Sequence, residues 1–115
     1  MSIPQTLAVA KTVVLDASGN GTLRIGPDRG APYWRVTKVL VRTSREGQAP
    51  VPRFAYYQDY QSDATRKGQT YDGSHDESDE NFLLTRGQEL IAVWTGGQAG
   101  DRATFTVTGT QGDTP

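Results

Sequence analysis

Cysteine is absent from the 115-residue sequence, which excludes disulfides and thiolate metal centres outright. There is one histidine, His75. A structural zinc would need mostly carboxylate ligands, and a catalytic zinc would need His75, two acids and an open position, so zinc is disfavoured. A hydrolytic triad would also have to use His75 as its base. Ser62, Ser74 and Ser78 offer hydroxyls, but none sits in a nucleophile elbow. No pair of carboxylates is singled out at a glycosidase separation, and the stretches GNG, GPDRG and TGGQAG lack the lysine and strand context that cradle phosphates. No apolar run approaches the roughly 20 residues that cross a bilayer. The opening MSIPQTLAVAKTVVLD lacks the charged-then-apolar order of a signal peptide. These absences point away from an enzyme and from a membrane partner.

What is present suits one soluble all-β domain. At 12.5 kDa the chain is of single-domain size. Thirteen glycines and six prolines supply turns, and recurring aromatic and β-branched residues argue against disorder. LAVAKTVVLD (7–16) ends at ASGNG, whose Asn20-Gly21 feeds TLRI (22–25), and these two runs are expected to form a first hairpin. In YWRVTKVLVRTS (33–44), Trp34 and Val36 have one parity and Val39 and Val41 the other. This predicts either a bulge after Thr37 or partial cover on both faces. RFAYYQDY (53–60) puts Phe54 and Tyr56 on one face and Ala55 and Tyr57 on the other. NFLLT (81–85), ELIAVWT (89–95) and RATFTVTGT (102–110) complete the strands, and Ala103, Phe105 and Val107 give the cleanest one-sided alternation. The expected fold is an antiparallel β-sandwich of seven or eight strands, jelly-roll-like, although periodicity alone does not separate a jelly roll from an immunoglobulin-like connection. Residues 1–6 are expected as an N-terminal arm, 7–110 as the sandwich and 111–115 as a polar tail.

Three groups of residues are candidates for function. DGSHDESDEN (72–81) gathers five acids around His75. It fails the calcium-hand spacing, because counting from Asp72 the sixth residue is Glu77 and the twelfth is Leu83. It reads as a solvated surface loop whose Asp, Asn and Ser residues cap their own turns, with an irregular calcium site through Asp72, Asp76 and Asp79 as the alternative; otherwise no cofactor is expected. Tyr56, Tyr57 and Tyr60, with Tyr33 and Trp34, would form a stacking platform for a glycan if exposed together, although alternation predicts that at least half are core. Trp94, in IAVWT, is expected in the core with its ring nitrogen hydrogen-bonded, beside Phe82, Leu84, Leu90 and Phe105.

Charge is unevenly spread. Residues 1–71 hold ten Lys or Arg against five acids, and residues 72–115 hold two against eight. Either the two halves meet head to tail between copies, or strands from each half intermix within one fold. No basic run is interleaved with aromatics, so direct nucleic-acid binding is not expected.

The order DASGNGTLRIGP, YWRVTKVLVRTS, AYYQDY, TYDGSHDESD and LTRGQELIAVWTGGQAGDRATFTVTGT resembles small β-sandwich virion proteins of tailed phages, especially those of actinobacterial hosts. The resemblance spans roughly residues 10–110. It implies a non-enzymatic structural role in the particle, as a head decoration protein, a head fibre base or a minor tail component. The partners it implies are capsid or tail proteins and further copies of the chain, as a trimer or ring, with location in a virion assembled in the host cytoplasm. A carbohydrate-binding β-sandwich is the rival reading.

Overall fold

The computed structural model describes residues 5–27 and 33–112. Among the described residues eight strands form, most of them short runs in which alternate residues are apolar, with polar β5 and the first half of β6 the exceptions: β1 (Gln5–Val14), β2 (Gly21–Ile25), β3 (Tyr33–Thr43), β4 (Arg53–Gln58), β5 (Arg66–Thr70), β6 (His75–Thr85), β7 (Leu90–Thr95) and β8 (Arg102–Gly112). A 3-10 turn, Asp63–Thr65, precedes β5. Sheet I has the order β1-β8-β3-β6 and sheet II the order β2-β7-β4-β5. The antiparallel pairs are nested, first with last: β1 with β8, β2 with β7, β3 with β6 and β4 with β5. The chain is thus one long ribbon rolled over itself, closed by β3 against β8 and β4 against β7. That is the jelly-roll arrangement of an antiparallel sandwich.

The expected first hairpin is corrected by this order. β1 and β2 lie in different sheets, as do β7 and β8. The Asn20-Gly21 signal serves a corner instead. Asp16 Oδ1 accepts from the backbone N–H of Ser18 and Asn20 at 2.9 and 3.0 Å, and Gly19 takes the positive φ of 76°. Asn20 Oδ1 then accepts from Gly96 N–H at 3.0 Å, and Gly97 N–H donates to Gly19 O at 2.9 Å. The corner after β1 is therefore stitched to the corner after β7. A side chain at Gly19 would place its Cβ 1.9 Å from Gly97 O.

The parity change in β3 is a bulge. Val36 pairs with Gly109, and Lys38 with Thr108, leaving Thr37 as the extra residue. Gly109 is required there, since a Cβ would lie 1.9 Å from Arg35 O. The bulge brings Trp34, Val36, Val39 and Val41 all inward, and all four are buried.

Between the sheets, Phe54 packs on Trp94 and Phe105 with ring centroids 4.9 and 5.5 Å apart, and Tyr56 lies 5.4 Å from Phe105. Trp94 is fully buried and its Nε1 donates to Gly73 O at 3.1 Å, as its position predicted. Leu84, Leu90 and Phe105 share this core, with Phe82 packed partly against it. Gln5 and Thr6, expected in the arm, pair with Gln111 and Thr110 and belong to β1; Gln111 and Gly112, expected in the tail, end β8. The rest of the arm and tail, residues 1–4 and 113–115, lies outside the described residues.

Candidate functional site

The acidic stretch is a strand and not the loop its polarity suggested. Residues 75–81 form the first part of β6, paired in register with β3: His75 with Arg42, Glu77 with Leu40 and Asp79 with Lys38. Alternation places His75, Glu77 and Asp79 on the outer face, and Asp76, Ser78 and Glu80 toward the gap between the sheets. β6 is an edge strand of sheet I, and acids on an exposed edge discourage pairing with another chain. Lys38 Nζ lies 3.9 Å from Glu77 and 3.8 Å from Asp79. Intermixing of the basic and acidic halves thus occurs within the fold, as the Arg24–Glu89 ion pair also shows.

The proposed calcium ligands are dispersed. Asp72 accepts from Ser74 Oγ at 2.5 Å and from Ser74 N–H at 3.2 Å, and these bonds, the side-chain one foremost, hold its carboxyl below the usual range. Asp76 bonds the adjacent Glu77 N–H, and Asp79 faces Lys38. Among the described residues no group of three acids or histidines is placed to hold a metal ion. His75 Nδ1 sits 3.4 Å from Glu46 Oε1, on an exposed surface. Glu46 also accepts from Arg42 Nε at 2.7 Å, and the two contacts, Arg42 first, lower its pKa.

Where β5 and β6 leave the sandwich open, a groove of about 180 Å³ reaches the core. Its floor is Val39, Val41, Phe54 and Phe105, and its rim carries Lys67, Asp76, Ser78 and Glu80. Tyr56 lies inside it, 2 % exposed, and its hydroxyl donates to Glu80 at 2.8 Å. Burial, then the bond to Glu80, raises the phenol pKa. On the opposite side of the sandwich Lys11, an inward-facing residue of edge strand β1, donates to Arg24 O in β2 at 2.9 Å and bridges the two sheets.

The tyrosine platform read from AYYQDY is corrected by these positions. Tyr56 is core, Tyr57 is half-buried on the opposite face of β4 beside Ile91, and Tyr60 is exposed in the bend beyond. Trp34 is buried as well. The aromatic that composition did not single out is Tyr71, 78 % exposed, with the Arg53 guanidinium 5.2 Å from its ring centroid. Its signal was its distance from any apolar neighbour in the polar run TYDGS. Compared with known proteins, the chain matches no family model and no curated protein sequence.

Proposed function

We propose that this chain is a non-enzymatic structural protein of a tailed-phage particle, decorating or stabilising the head surface through subunit contacts. The observation that carries the reading is the nested jelly-roll strand order, an architecture that recurs in viral shell proteins. This support is analogy at the level of fold, joined to the sequence resemblance.

The outer face of sheet I suits such a role. Ala8, Ala10 and Thr12 of β1 lie beside Thr108, Thr106 and Thr104 of β8, and those beside Lys38, Leu40 and Arg42 of β3. Alanine has no rotamers to lose, and threonine is already stiff at χ1, so covering the β1 and β8 part of this face costs little conformational entropy. Thr12 and Thr104 bond each other at 2.8 Å and Thr108 donates to Lys38 O at 3.2 Å, but their hydroxyl oxygens keep lone pairs that can accept from a partner.

The test is mass spectrometry of gradient-purified particles from the host that produces the chain. Peptides of this chain are expected in a fixed ratio to the main shell protein, and antibody labelling is expected on the head. Absence from the particles overturns the reading, and labelling confined to the tail replaces it with a minor tail role. Light scattering of the purified chain checks the contacts between copies, with a closed trimer or ring expected.

A further inference from the structure

We propose that the outer face of sheet II carries a binding depression for a neutral oligosaccharide, between Tyr57 and Tyr71. Along β4, Phe54 and Tyr56 point inward and are buried, so Ala55 and Tyr57 face outward. Ala55 pairs with Val93 of β7 and with Gln69 of β5. These two short apolar side chains make a low floor in the middle of the sheet, and the taller tyrosines wall it. Tyr71 stands at the Arg53 end, in contact with that guanidinium. Arg53 and Tyr57 are four residues apart on one strand, so the two walls stand roughly 13 Å apart. The depression, open to solvent, has a volume of about 360 Å³, within the size class of small-ligand sites.

The chemistry of the walls selects the ligand. A pyranose offers an apolar C–H face and a rim of hydroxyls. Tyrosine rings meet the first through their faces while keeping a polar tip in water. Gln61 and Gln69, which also line the depression, present carboxamides that both donate and accept, as hydroxyls do. Among the described residues no Asp or Glu lines it. These residues thus offer no carboxylate pair to protonate or attack a glycosidic bond, and the role proposed for the depression is binding and not hydrolysis. Arg53, the one charged group among the described lining residues, lies over the Tyr71 ring, which stays 78 % exposed and open to a ligand. This is a different aromatic set from Tyr56, Tyr57 and Tyr60, because the parity of β4 and the return of β5 decide which rings share a face. The proposal stands apart from the particle reading.

Amide NMR spectra of the isolated chain, titrated with cello-, malto-, manno- and galacto-oligosaccharides at millimolar concentration, test it. At least one series is expected to shift the amides of Ala55, Gln69 and Val93 saturably. Tyr71→Ala, a change at an exposed position, is expected to weaken that binding about tenfold, and Gln69→Ala to weaken it less. Tyr60→Ala, exposed but outside the depression, is expected to leave it unchanged. No shift with any of the four series, shifts confined to another surface, or affinity indifferent to Tyr71→Ala would overturn the proposal.

Discussion

Tyr56 of β4 and Glu80 of β6 are joined across the two sheets by a 2.8 Å hydrogen bond, with the phenol donating to the carboxylate. Burial and this bond raise the phenol's pKa. The unfolded chain therefore ionises first, near pH 10. The stabilisation is fully present below that pH and is lost as pH rises through the folded value. Tyr56→Phe is expected to cost about 1 kcal/mol at pH 7 and to flatten the alkaline fall in stability. Urea unfolding at pH 7 and above pH 10 measures both.

Ser74 is fully buried and sits between two partners, donating to Asp72 and accepting from Gly47 N–H at 2.9 Å. Ser74→Ala leaves that amide unpaired and is expected to cost about 1–3 kcal/mol. It should also let the Asp72 carboxyl rise toward its ordinary pKa. Because Asp72 is held low in the folded state, its contribution is present above the unfolded value and lost as pH falls through the folded one. Carboxyl NMR titration of wild type and variant reads this shift directly.

Trp94 fills the centre of the core and keeps its indole N–H bonded to Gly73 O. Trp94→Ala is expected to cost about 3–5 kcal/mol, a large part of the stability of a domain this size. Trp94→Phe should retain most of the packing and lose chiefly the hydrogen bond. Thermal unfolding by circular dichroism separates the two.

Gly109 opposes the β3 bulge, where a methyl group would overlap Arg35 O. Gly109→Ala is expected to destabilise by more than 1 kcal/mol, since backbone must shift on both strands. Deleting Thr37 in the same chain removes the bulge and reverses the parity of half of β3, so it should not rescue the variant. Amide exchange along β3 and β8 distinguishes local loosening from global unfolding.

The charges of β6 act on solubility more than on stability. Asp76 and Asp79 are exposed, the first bonded to the adjacent Glu77 N–H and the second loosely paired with Lys38, so Asp76→Asn with Asp79→Asn should change stability by less than about 1 kcal/mol. Replacing Glu77 and Asp79 by Val should instead promote association through the uncovered edge, seen as a rise in scattered mass. Calcium or chelator is expected to leave the melting temperature unchanged.

Strands facing the closed core were legible because one side of each is uniformly apolar. Ala103, Phe105 and Val107 of β8 and Phe54 and Tyr56 of β4 are buried as their alternation predicts. β6 was missed in its first half for a physical reason. Its inward residues Asp76, Ser78 and Glu80 line the groove mouth, where the sandwich is open to water, so the period of two survives without any apolar signal. Pairing was illegible where it is long-range. Asn20-Gly21 looks like a hairpin turn locally, and only the bonds from Gly96 and Gly97 make it a corner between sheets. The tyrosines failed as a platform because adjacent residues on a strand never share a face.

The nested order of the strands also dictates a timetable. β8, the last of the eight to leave the ribosome, lies inside sheet I between β1 and β3, and β7 lies inside sheet II between β2 and β4. The first three strands thus wait, with their inner hydrogen-bonding edges bare, until β7 and β8 have been made. Nearly all pairings are distant in sequence, so closure entropy is spent before contacts repay it and folding is slow. Acids along β6 and an inward lysine on β1, the two edge strands of sheet I, guard the nascent chain as much as the finished one.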